Sequence, residues 1–106
     1  MRLYLLRHCD AVHPIESPER PLSDRGRDQA ERLAAWMPRA VGVLDEIRHS
    51  GVLRARQTAE IVASAARPEP PVRAMAGLTP SDPARPVADL LRHEAGALLV
   101  VTHLPI

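Results

Sequence analysis

Two histidines and two arginines have the residue types and settings needed to move a phosphoryl group. Arg7-His8 closes the run RLYLLR and opens a proline-broken loop; Arg54 starts an amphipathic stretch after Ser50; His103 follows the apolar run ALLVV and Thr102. A neutral imidazole can attack phosphorus and carry the group covalently, splitting one hard displacement into two. Guanidinium forks match phosphoryl oxygens bidentately and stabilise spreading charge. A second imidazole, protonated, adds a donor aimed at the same oxygens. The expectation is therefore His8 as nucleophile, Arg7 and Arg54 as phosphate ligands, and His103 as the second catalytic histidine. Asp10 would tune or position His8.

An Arg-His pair carries no information alone: chance predicts roughly 0.7 of them from this composition, and the chain holds three. Arg48-His49 and Arg92-His93 lack a buried run before them and a loop after, so they read as surface or partly buried polar pairs. His13, His49 and His93 are expected as ordinary surface residues. Ser50 reads as closing a strand end, and Thr58 as packing. Two rival chemistries can be weighed by spacing. A cysteine phosphatase would use His8-Cys9 but needs an arginine six residues past the cysteine, where Ile15 stands. A metal site from His8, Cys9, Asp10 and His13 has suitable ligand types, but no second cluster completes it. The expectation is no metal and no cofactor.

The frame that must position these groups is small. The chain has 106 residues, 45% hydrophobic and 25% charged, with a formal net charge of +1. That suits one domain, burying about 60 to 70% of the surface its unfolded chain exposes. No apolar run approaches the ~18 residues of a membrane span, and charge comes too early for a signal peptide. A cytoplasmic setting without a membrane partner is expected, and the single Cys9 excludes an intrachain disulfide. Near-neutral charge, no basic run and only Tyr4 and Trp36 as aromatics argue against nucleic acid. All 14 basic residues are arginine, which composition bias explains most simply.

Residues 2–7 read as a buried strand, followed by a loop broken by Pro14, Pro18 and Pro21. Ser23 is an N-cap and Asp24 suits the positive helix end; Ala30, Leu33, Ala34 and Met37 then recur at helical spacing until Pro38. Residues 45–50 are a poor strand by propensity, but an α/β alternation requires one there. Ala55, Ala59, Val62 and Ala66 form one face of a second helix over 52–66. A short strand at 72–75 is expected within a proline-rich connection. Pro86 begins a third helix that includes Val87, Leu90, Leu91 and Glu94 and ends at Gly96, before a fully buried strand at 97–101. This order predicts a three-layer α/β/α architecture with a mostly parallel sheet, whose ligands bind beyond the strands' carboxyl ends.

Against this background LYLLRHCDA resembles the Arg-His-Gly signature of the histidine phosphatase superfamily, the phosphoglycerate-mutase-like group. HSGVLRARQTAE is similar to that family's second block, whose phosphate-binding Arg maps onto Arg54, and LLVVTHLPI to the third, whose His maps onto His103. Asp10-Ala11, Pro21-Leu22-Ser23 and Gly77-Leu78-Thr79-Pro80 favour its SixA-like phosphohistidine phosphatase branch. The resemblance runs along essentially the whole chain. It implies a metal-independent phosphatase with a phosphohistidine intermediate on His8, acting on phosphohistidine in a phosphotransfer or signalling protein. The alternatives are a broad small-molecule phosphomonoesterase acting on small phosphate esters, and a truncated, inactive phosphate- or partner-binding module.

Three departures from the family pattern matter. Cys9 replaces a small residue, usually Gly. Gly77 stands where the branch commonly has a Glu, leaving Asp82 as substitute acid; protonated imidazole leaves without a strong acid, so this leans towards phosphohistidine. The family domain normally continues tens of residues past its second His, so residues 1–106 read as one such domain lacking its C-terminal part. The resulting uncovered sheet edge and apolar face would suit a homodimer.

Overall fold

A computed structural model describes residues 2–103, and its order of elements follows the sequence reading. The elements are β1 (Arg2–Arg7), α1 (Asp24–Val41), β2 (Glu46–His49), α2 (Leu53–Ala65), β3 (Val72–Ala74), α3 (Ala84–Leu91) and β4 (Ala97–Thr102). The sheet order is β1-β4-β2-β3, and every pairing is parallel. Parallel strands end at the same edge, so the residues following β1, β4 and β2 are neighbours although distant in sequence. Register sets Arg7 beside Thr102 and His49 beside Val101. The His8 N–H continues the ladder to the Thr102 carbonyl at 3.0 Å.

The central strand β4 is buried at every residue because both faces are covered. Ala97, Leu99 and Val101 join Ile47 under α1 and α2, where Ala34, Met37, Ala55, Ala59 and Val62 complete the larger core. Leu98 and Val100 face the other way onto Val87 and Leu91 of α3. The expected three layers are therefore present: two helices on one face, one on the other.

Several elements differ from expectation. The apolar run at 2–7 predicts a buried strand, but β1 is the sheet edge. Tyr4 and Leu6 pack on the larger core, while Leu3 and Leu5 stay 37% and 53% exposed, because α3 covers their register partners Leu98 and Val100 and not them. α1 continues through Pro38 to Val41 and stops at Gly42, whose φ is 71°. Packing of Met37 and Val41 on the core outweighs the hydrogen bond that Pro38 cannot make. α3 ends at Leu91, and Arg92 to Glu94 form tight turns back to Ala88, Leu90 and Leu91.

Arg48 and His49 depart furthest from their reading as surface or partly buried groups: they are 7% and 5% exposed. Arg48 forms ion pairs with Glu46 and Glu94, which satisfies its charge below the surface. His49 Nδ1 accepts the Gly51 N–H at 3.0 Å, closing the turn after β2. Burial holds its pKa below the ordinary histidine value. His13 and His93 are exposed as expected. Among the described residues no helix is long and apolar enough to cross a membrane.

Candidate active site

His8, Arg54 and His103 meet at the carboxyl edge of the sheet. His8 lies one residue past β1, His103 one past β4, and Arg54 in the first turn of α2, which the Ser50–Val52 turn connects to β2. The two imidazole centroids are 5.0 Å apart with the rings tilted by 55°. His8 Nδ1 is 2.7 Å from the Cys9 carbonyl, while Arg54 Nε donates to His8 Nε2 at 3.3 Å. A carbonyl can only accept, so Nδ1 carries the proton. Nε2 therefore has the lone pair, directed at a guanidinium. Burial, partly offset by the Cys9 carbonyl, and the charges of Arg54, Arg7 and Arg20 hold the His8 pKa below its ordinary value. The ring is thus neutral and nucleophilic at pH 7.

His103 is 3% exposed, and its Nε2 lies 2.7 Å from Ser50 Oγ. Ser50 Oγ also accepts the Val52 N–H at 3.3 Å, so it fastens the second imidazole to the start of α2. Burial first, then Arg54, His8 and Arg20, lower the His103 pKa to about 4. At pH 7 His103 is therefore a neutral ring, where the sequence reading expects a protonated donor. An arriving phosphoryl dianion would raise that pKa. Among the described residues His103 Nδ1 and Thr102 Oγ1 are buried without a hydrogen-bond partner.

Sequence reasoning missed the supports beneath these groups. Thr58 is fully buried; its Oγ1 accepts the Cys9 N–H at 3.1 Å and donates to the Arg54 carbonyl at 2.9 Å. One hydroxyl thus joins the peptide after His8 to the helix turn that bears Arg54. Among the described residues no hydrogen bond joins Asp10 to His8; Asp10 bonds Ser23 and Gln29 instead. Its Oδ2 accepts the Ser23 hydroxyl at 2.6 Å, its N–H donates to Gln29 Oε1 at 3.0 Å, and its carbonyl accepts the Ser23 N–H. Ser23 in turn caps α1 through the Gly26 N–H. A Cβ at Gly26 would collide with the Asp10 carbonyl, so only glycine lets α1 seat this close to the loop. The signal was legible in principle, since a glycine in a first helical turn is costly without a close approach to explain it.

Arg7 is exposed and lines a cleft of about 260 Å³ that also includes His8, with Arg20 and Arg25 in its walls. Asp82 is not part of that cleft. It is exposed, and its Oδ2 accepts both the Thr79 N–H at 2.9 Å and the Thr79 hydroxyl at 2.7 Å. Those bonds hold its pKa below the usual carboxylate value, the opposite of what a proton donor needs. Cys9 is half-buried, and burial pushes its thiol pKa up, against a thiolate nucleophile. Among the described residues no three His, Cys, Asp or Glu side chains cluster so as to hold a metal ion.

Residues 3–80 match the family described as Histidine phosphatase superfamily (branch 1). The chain is 28% identical to the phosphohistidine phosphatase SixA of Escherichia coli K12 over 111 residues, covering 100% of this chain and 69% of that protein. Its structure resembles that of the protein histidine phosphatase SixA complexed with tungstate, with TM-score 0.87, 28% identity, and coverage of 99% and 70% of the two chains. A Plasmodium falciparum phosphoglycerate mutase, at 19% identity and TM-score 0.68, shares the fold over 96% of this chain and 60% of its own.

Proposed function

The chain belongs to branch 1 of the histidine phosphatase superfamily and is a phosphatase by that membership, and we propose that it removes phosphoryl groups from phosphohistidine in a protein through a covalent intermediate on His8, without a metal. The carrying observation is the fixed His8 tautomer, with Nδ1–H on the Cys9 carbonyl and the Nε2 lone pair facing Arg54.

In the first step Nε2 attacks phosphorus, and the bond from phosphorus to the substrate imidazole breaks. That imidazole, protonated on its other nitrogen, leaves as a neutral ring and needs no acid. This agrees with Gly77 in place of a carboxylate and with an Asp82 carboxylate bound to Thr79. Phospho-His8 is a cationic ring whose Nδ1–H stays on the Cys9 carbonyl. Water then attacks phosphorus, releases a proton to solvent, and His8 departs as the neutral imidazole it was. Arg7, Arg54 and the His103 ring serve the phosphoryl oxygens through both steps.

The test is rapid quenching at alkaline pH, where phosphohistidine survives, after mixing with a ³²P-labelled phosphohistidine protein. The label should pass through His8, and His8→Ala should abolish phosphate release. Unchanged release in that variant overturns the mechanism. Activity that persists in chelator rules out a required metal, and faster turnover of a sugar phosphate than of phosphohistidine would favour the phosphomonoesterase alternative.

A further inference from the structure

The phosphoryl centre formed by His8, Arg7, Arg54 and His103 leaves two cations, Arg20 and Arg25, unused on its flank. The cleft beside His8 is walled by Arg7, Arg20 and Arg25, and its one acidic side chain, Asp10, is bonded through Oδ2 to Ser23. None of the three guanidinium groups forms an ion pair among the described residues. Gln29 closes the wall, its oxygen turned to the Asp10 N–H and its NH₂ left to donate. Three like charges around one small space repel each other unless an anion enters.

Arg20 is held in place for this. Its Nε donates to the Val12 carbonyl at 3.0 Å, which aims the guanidinium. Its backbone has φ of 50°, unusual outside glycine, and is fastened by the Arg20 N–H on the Ser17 carbonyl and the Val12 N–H on the Pro21 carbonyl. Such conformations persist where the surroundings over-determine them, often at ligand-holding positions. Arg25 stands in the first turn of α1, where the helix dipole disfavours a cation. About 260 Å³ falls below the ~300 Å³ at which pockets take whole small molecules, so the space suits a group carried by the substrate.

We propose that Arg20 and Arg25, with Gln29, form a second anion subsite that binds a carboxylate or phosphate of the substrate adjacent to the transferred phosphoryl group. This rests on the reading of His8 as the phosphoryl-accepting centre. The subsite makes the enzyme selective for phosphoryl donors that carry a neighbouring negative charge.

Binding and turnover test it separately. By calorimetry, pyrophosphate should bind wild type about tenfold or more tighter than inorganic phosphate, as one added charge-assisted contact implies. In Arg20→Gln/Arg25→Gln that advantage should fall below about threefold, with phosphate affinity weakened less than pyrophosphate affinity. Arg25→Gln alone, at an exposed position, should show part of the loss even if the double variant folds poorly. Phosphohistidine peptides flanked by Glu or by Gln distinguish the source of the anion. A Glu preference lost in the variant identifies an acidic polypeptide; an effect confined to pyrophosphate identifies a small bisphosphate. Equal affinity for phosphate and pyrophosphate in wild type, or equal weakening of both in the variants, overturns the subsite. An intact pyrophosphate preference without turnover of any donor supports the subsite and overturns the catalytic reading instead.

Discussion

At the residue scale, two histidines of the same type have different electrostatic tasks. His8 is kept neutral with its lone pair on Nε2, and His103 is buried close to the positive Arg54 and Arg20. NMR titration of the protein should therefore give a His103 midpoint near 4 and a His8 midpoint below the ordinary histidine value of 6.5. Saturating inorganic phosphate should raise both, since an anion stabilises each imidazolium. Midpoints unmoved by phosphate would remove His103 from the phosphate site. The acid limb of kcat/KM should likewise lie below pH 6.5, because protonating His8 consumes the attacking lone pair. The placement of His8 and His103 at one edge was readable because each follows a strand end. Thr58 and Arg20 were not readable, because a hydroxyl in a helix and an arginine in a loop acquire meaning only from neighbours far along the chain.

At the scale of elements, the site depends on how tightly α1 and α2 are drawn onto the loop after β1. Gly26→Ala forces α1 away from the Asp10 carbonyl. A loss of about 1 to 3 kcal/mol in urea unfolding is expected, with kcat reduced because the loop carrying His8 and Cys9 shifts. A neutral substitution there would mean the approach is not tight in solution. Thr58→Val keeps shape but strands the Cys9 N–H, so about 1 to 3 kcal/mol of stability should be lost. In addition kcat should fall more than KM rises, because the freed N–H belongs to the residue whose carbonyl fixes the His8 tautomer. A change in KM alone would argue against a positioning role. Helix and strand order were legible from periodicity. β2 was legible only from the demand for alternation, since its Arg48 and His49 are buried by ion pairing and a turn contact that propensity does not describe. The passage of α1 through Pro38 was hidden because tertiary packing set its length.

At the scale of the whole molecule, the buried imidazoles couple stability to acidity. His103 titrates at 6.5 when unfolded and at about 4 when folded. Its contribution is complete above pH 6.5 and is lost as pH falls towards 4, because the unfolded chain binds the proton first. By pH 5 the loss is about 2 kcal/mol at 1.36 kcal/mol per unit. His8 and His49 act in the same direction, whereas the lowered Glu46 and Glu94 carboxylates act only nearer their own range. Urea midpoints should therefore fall between pH 7 and pH 5, and His103→Asn should flatten that slope. A slope unchanged in the variant would refute the assignment.

On the proposed mechanism, the acceptor that decides which nitrogen of His8 attacks is a main-chain oxygen. No exchange of the residue 9 side chain can delete it, so an inherited change of Cys9 alters the wall of the cleft while the choice of nucleophilic atom is passed on intact. Substrate preference and reaction chemistry can thus vary independently at one codon.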